Sequence, residues 1–136
     1  MEEKKNMKLL KITLILFAVL TLMYGLVYLF FPETYVKFVG SDPIPSAWIR
    51  WIGGILIGLG IGAIMVFRKP RNQGIFVKTM AIGTLIDALA QMYSTFFESV
   101  SNIWFDLIPE LVLLIISTLF WISLKQAKAI LWNDEK

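Results

Sequence analysis

One acidic residue, Asp87, lies near the centre of an apolar run that extends from residue 75 to 97. An ionised carboxylate in hydrocarbon costs about 2.5–3.5 kcal/mol on insertion scales, so we expect Asp87 to face other helices. Thr84 precedes it by three residues, and Gln91 and Ser94 follow at spacings of four and three, which predicts one polar stripe along a helix. Such a stripe suits a polar ligand pocket or a proton-linked site.

A purely structural role is the alternative for Asp87. Thr21, Tyr24 and Tyr28 form a similar stripe on the first apolar run, and Tyr24 lies at a comparable depth. A hydrogen bond from Tyr24 or Thr84 would satisfy the carboxylate without any ligand. Both interpretations of Asp87 stay open at the level of the sequence.

Arg50 and Glu110 are charged residues in the first turns of two other apolar runs. Neighbouring helices alternate in direction, so Arg50 shares its level with Gln91 and Glu110 and can meet either one. Alternatively, Arg50 extends to the membrane surface, and Glu110 is favoured by the positive end of its helix dipole. We hypothesise a ligand-binding cavity toward the outer leaflet, lined by Arg50, Asp87, Gln91, Glu110 and, at its floor, Tyr24.

The composition excludes several kinds of chemistry. The chain has no Cys and no His, so it lacks the usual ligands for zinc, haem or iron–sulfur clusters and the usual nucleophile pairs. We therefore predict no catalytic residue, no metal and no cofactor. The net charge of +3 also gives little reason to expect a nucleic-acid partner, because most basic residues flank apolar runs.

The elements that must position these residues are transmembrane helices. Apolar residues make up 57% of the 136 positions and charged residues only 17%, and an apolar helix of about 20 residues crosses a bilayer. We predict one integral membrane domain over residues 1–136, an all-α, up-and-down four-helix transmembrane bundle. Its helices are expected at 9–31, 48–67, 75–97 and 107–124, with short interfacial helices after helix one and at the C-terminus.

Gly54, Gly58 and Gly62 recur at every fourth position of helix two. Small residues at this spacing let a neighbouring helix approach closely, which predicts a helix-packing face. The partner is another helix of the same bundle or, alternatively, a second copy of the chain in a homo-oligomer.

The basic residues predict the orientation. All but Lys37 and Arg50 of the 13 Lys and Arg residues lie before the uncharged run of helix one, which begins at Ile12, around the connection between helices two and three, or after helix four. Basic residues collect on the cytoplasmic side of a membrane. Both termini are therefore expected in the cytoplasm.

Three short motifs carry a resemblance to a known family. They are Phe30-Phe31-Pro32-Glu33 after helix one, Arg50-x-x-Gly53-Gly54-x-x-x-Gly58 in helix two, and Glu110-Leu111-Val112 in helix four. With the spacing of the spans, they make nearly the whole chain resemble the DoxX-like and BphX-like group of small bacterial membrane proteins. The resemblance implies a four-span bundle in the bacterial inner membrane, sometimes accessory to a redox or membrane complex.

For function we expect a non-enzymatic membrane protein. It would bind a lipid-like or quinone-like molecule, or a partner subunit, through the polar cavity. One alternative is a proton-coupled transporter subunit that works as an oligomer, with Asp87 as the protonatable group. Another is an intramembrane isomerase that uses Asp87 or Glu110 as a general acid or base.

Overall fold

The fold is all-α throughout the part of the chain that the structure covers. A computed structural model describes residues 2–40, 44–98 and 103–132, with side chains described from residue 7 in the first range and from residue 107 in the third. Six helices follow one another in these ranges: α1 Glu2–Phe30, α2 Pro32–Val39, α3 Ser46–Arg68, α4 Gly74–Phe97, α5 Ile103–Gln126 and α6 Lys128–Leu131.

Four of these helices are long and apolar enough to cross a membrane. The candidate spans are Met7–Phe30, Ser46–Arg68, Gly74–Phe97 and Leu107–Gln126, each of 20 to 24 residues. Only 28–33% of the residues in each apolar window are buried within the protein, so most of the apolar side chains point outward. Water would not tolerate so much exposed apolar surface, whereas lipid does. The predicted all-α four-helix bundle is therefore confirmed.

The helices pack as two pairs joined through α1 and α5. The hairpin partners α4 and α5 pack on each other, α3 packs on α1, and α1 packs on α5. The helices α3 and α4, both fully described, have little direct contact with each other. The bundle consequently has a side, between α3 and α4, along which it is only loosely held together.

Three glycines allow α1 and α3 to approach closely. An added Cβ on Gly53 would lie 2.8 Å from the carbonyl oxygen of Gly25, and one on Gly25 would lie 2.9 Å from the carbonyl oxygen of Gly53. Two helical turns further along α3, an added Cβ on Gly60 would lie 2.7 Å from the side chain of Leu22. Residues seven positions apart share a helix face, so Gly53 and Gly60 both meet α1.

Of the predicted packing face of Gly54, Gly58 and Gly62, the first two glycines do not pack against another helix of the bundle, and packing against a second copy of the chain stays a prediction. Gly54 and Gly58 have no heavy atom within 4 Å of an added Cβ, and only Gly62 has a close neighbour, the ring of Phe76. Each helical residue is rotated about 100° from the one before it, so a face one residue away points elsewhere. Gly54 and Gly58 lie on the outer surface of α3.

The two ends of the bundle differ. At the α2 end, Pro32 begins α2 and is buried, and Gly40 ends it with a left-handed φ of 71°, which glycine adopts readily. At the opposite end, which we call the loop end, lie the start of α1, the connection from α3 to α4, and α6. The predicted interfacial helix after helix one corresponds to α2.

The predicted short helix at the C-terminus corresponds to α6, and the apolar side chains of the segment from Ala127 to Trp132 pack on the end of the bundle. Ile130 and Leu131 are buried, and the ring of Trp132 covers Gly74 so closely that an added Cβ would clash with it. The Asn72 N–H donates to the Ile130 carbonyl at 3.2 Å. The segment thus closes the loop end.

Candidate ligand-binding cavity

A cavity of about 410 Å³ lies among the four long helices in the half of the bundle next to α2. Its wall is mainly apolar, with Phe17 and Leu20 from α1, Ile52 and Leu56 from α3, and Leu113 and Ile116 from α5 among the lining residues. Because α3 and α4 barely touch, the space that they bound with α1 and α5 is not filled by side chains. A volume of this size accommodates a small ligand.

One part of the lining is polar. It consists of Thr21, Tyr24, Tyr28, Tyr35, Asp87 and Gln91. The Tyr28 hydroxyl donates to the Tyr35 hydroxyl at 3.0 Å, and their ring centroids are 4.6 Å apart. Tyr24 meets Tyr28 edge to face, with centroids 5.9 Å apart. Three tyrosines from α1 and α2 therefore form one aromatic cluster beside the carboxylate.

Asp87 lines this cavity, as predicted, and the predicted structural partners do not bind it. Its only described hydrogen bond comes from Gln91, whose Nε2 donates to Oδ1 at 3.3 Å. The Thr84 hydroxyl instead donates to the Met80 carbonyl of its own helix at 2.7 Å. Asp87 is an exposed residue and is one of the cavity's lining residues.

Arg50 does not join the cavity. It is exposed, it is not among the lining residues, and no ion pair links it to Glu110 or Asp87 in the described ranges. Ile52, which does line the cavity, is two positions further along α3, and two positions on a helix are about 160° apart around the axis. Arg50 therefore points away from the cavity, which agrees with the alternative that it extends to the membrane surface.

Glu110 lies at the α4–α5 contact and is only 1% exposed. The Thr95 hydroxyl donates to its Oε1, while Oε2 has no hydrogen-bond partner among the described residues. Glu110 therefore meets Thr95 of α4 and does not meet Arg50, which the sequence placed at the same level. Neighbouring Pro109 faces the cavity, and Glu110, one position on, faces α4 instead.

Three of the five predicted ligand-binding residues therefore come together: Tyr24, Asp87 and Gln91. The sequence did not single out Tyr35, which reaches the cavity from α2. The signal in the sequence was the amphipathic pattern of residues 32–39, because an apolar face that includes Tyr35 must pack on something. A search of the described residues finds no group of three or more Asp and Glu side chains placed to hold a metal ion.

The fold, with four apolar helices of membrane-spanning length around a mainly apolar cavity, is that of a multi-pass membrane protein. Comparisons of the chain with protein-family models, with curated proteins and with solved structures found no match.

Proposed function

We propose that this protein binds a lipid-like or quinone-like molecule in the cavity at the α2 end. The observation that carries the proposal is the division of the lining into an apolar wall and a polar cluster around Asp87. Such a surface matches a molecule with one polar head and an apolar body. Lipid-soluble molecules have direct access to this depth, because α3 and α4 leave a loosely packed side of the bundle.

The loop-end half favours binding over transport. Buried apolar residues from α1, α3, α4, α5 and the C-terminal segment form a continuous core there, which includes Leu14, Val66, Val77 and Phe120. A transporter must offer its substrate a route through both halves, and this core lies across such a route. A complex with a partner subunit remains compatible with the proposal, as does homo-oligomerisation through the outer surface of α3.

The orientation and location form part of the proposal. Exposed basic residues gather at the loop end, including Lys8, Arg68, Lys69, Arg71 and Lys125. By the positive-inside rule, the loop end and both termini lie in the cytoplasm and the cavity lies in the outer half of the membrane. With the resemblance to the DoxX-like group, this arrangement supports a place in a bacterial inner membrane.

Native mass spectrometry of the gently extracted protein tests the proposed binding. We expect a co-purified amphiphile on the wild-type protein. Leu56→Trp should remove it, because Leu56 lines the cavity and the larger ring would fill the space. Ile55→Trp is the matched control, since Ile55 is the preceding residue, is 47% exposed and does not line the cavity.

Retention of the molecule by Ile55→Trp and its loss from Leu56→Trp would support the proposal. Equal retention by the two variants would place the molecule elsewhere and contradict it. A wild-type protein that remains empty, even when incubated with lipid extract, would also contradict it.

A further inference from the structure

We propose that the head group bound in the cavity is cationic, an ammonium group carried by an apolar chain or ring. This inference rests on the proposed function, because it assigns the chemical class of the molecule that the same cavity binds. The first observation behind the inference is the charge of the residues that line the cavity. Asp87 is its acidic residue, and no Lys or Arg lies among the lining residues that the structure describes.

A carboxylate in this position lacks a compensating charge. Within the described ranges no cation lies within ion-pair distance of Asp87, and Arg50 is on the opposite side of α3 from the cavity. Charged groups within a membrane almost always pair with one another or face water. A ligand cation would supply the missing partner, whereas an anionic head group would meet like charge at the same place.

The Asp87 carboxylate can also accept a further hydrogen bond. Gln91 donates to Oδ1 of Asp87, and no described residue donates to Oδ2. The free oxygen can therefore accept a charge-assisted hydrogen bond from a primary or tertiary ammonium group, or contact the methyl groups of a quaternary one.

The aromatic cluster also favours a cationic head group. Tyr24, Tyr28 and Tyr35 line the cavity together with Asp87, with ring centroids 5.9 Å and 4.6 Å apart along the series. Aromatic faces attract cations, and cages of aromatic rings are a common means of binding quaternary ammonium groups. Neutral carbonyl head groups would use the phenol hydroxyls but would leave the carboxylate uncompensated.

The apolar wall of the cavity indicates the chemistry of the rest of the ligand. Phe17, Leu20, Leu56, Leu113 and Ile116 extend the cavity beyond the polar cluster, and such a surface takes alkyl chains or rings. A cationic amphiphile fits both parts at once. The whole cavity has a volume of about 410 Å³, and a small hydrophilic cation would leave its apolar part without contacts.

Equilibrium binding with the full-length protein in nanodiscs of an uncharged glycolipid, which carries no ammonium group, tests the inference. The probes are radiolabelled amphiphiles with the same dodecyl chain and three different heads: trimethylammonium, maltoside and sulfate. Empty nanodiscs give the background for each probe. We expect saturable binding of the trimethylammonium probe, about 10-fold or more tighter than that of the maltoside, and no saturable binding of the sulfate.

Two variants connect this preference to the carboxylate. Asp87→Asn keeps the size of the side chain and should weaken binding of the trimethylammonium probe by about 10- to 100-fold, with maltoside binding unchanged. Glu98→Gln is the matched control, because Glu98 is an exposed acid at the end of the same helix and does not line the cavity. The comparison of the three probes on the wild-type protein decides the matter even if Asp87→Asn does not fold.

The outcomes separate this inference from the proposed function. Equal binding of all three heads, or preference for sulfate, would overturn the cationic head while leaving the cavity as a binding site. Unchanged trimethylammonium binding by Asp87→Asn would overturn the role of the carboxylate. Failure of all three probes to bind saturably would also overturn the cationic head, and the native mass spectrometry of the wild-type protein decides the proposed function separately.

Discussion

The two halves of the bundle are built from similar residues but packed differently. At the loop end, small side chains such as Ala63, Ala81 and Ala127 are fully or almost fully buried in one core with the larger Leu14 and Phe120. Phe120 also meets Phe17 edge to face at 5.4 Å. At the α2 end, α3 and α4 lean on different neighbours and a cavity of about 410 Å³ stays open.

This difference separates stability from binding. In lipid, helices associate mainly through close packing, because the surrounding tails are as apolar as the helix surfaces. The loop-end half therefore contributes most of the free energy of helix association. The α2-end half can keep polar groups that do not stabilise the fold. Regions that bind ligands are commonly the less stable parts of a structure.

The most direct test of this comparison is one substitution made in each half of α5. Leu124→Ala should destabilise the protein by about 2–5 kcal/mol, because Leu124 belongs to the core and its loss leaves a void. Leu113→Ala should cost much less, since Leu113 already borders empty space. The free energy of unfolding in bicelles measures both. Equal costs would show that the halves do not differ in packing.

The α1–α3 seam predicts the next largest effect. Gly53→Ala should cost about 1–3 kcal/mol, because the new Cβ would press on the backbone of Gly25 and Leu29, which cannot move aside. Gly54→Ala, one residue away, meets open space and should be neutral or slightly stabilising through its helix propensity. Thermal unfolding of the two variants in the same detergent checks the contrast. If Gly54→Ala were the more harmful, the outer surface of α3 would be a packing face after all.

Sequence reasoning predicted what depends on length and polarity. The four spans follow from apolar runs long enough to cross hydrocarbon, and the structure has long helices over each of them. The depth of Asp87, Gln91 and Tyr24 follows from their distance to the ends of the same runs, and these three side chains do share one cavity.

Sequence reasoning failed where rotation about a helix axis decides. Arg50 and Glu110 were assigned to the cavity by depth, but depth does not say which neighbour a side chain faces. Gly54 was chosen over Gly53 for the same reason, since both belong to glycine-rich patterns and only the position of α1 distinguishes them. Fixing the rotation requires knowing which helices pack together, and the sequence alone leaves this choice open.

The hydrogen bond from Thr95 to the buried Glu110 at the α4–α5 contact should contribute to the stability of the protein. Thr95→Val would leave both oxygens of Glu110 without a described partner, and an unsatisfied buried polar group costs about 1–3 kcal/mol. Thr84→Val is the matched control, because the equally buried Thr84 hydroxyl bonds only to carbonyls of its own helix. Its removal should change the free energy of unfolding little. Similar losses in the two variants would show that Thr95 has no special role.

The smallest expected effect is at the contact of α2 with the cavity. Tyr35→Phe removes the hydroxyl that accepts the hydrogen bond from Tyr28, and a single bond of this kind contributes about 0.5–1.5 kcal/mol. Because Tyr35 is the lining residue that α2 contributes, the bond ties α2 to α1 beside the cavity. Its loss should speed the exchange of a bound amphiphile several-fold while leaving the loop-end core intact. Hydrogen exchange that rises in α2 but not in the second half of α5 would agree with two halves that open independently; a rise in both would mean that the bundle opens as one unit.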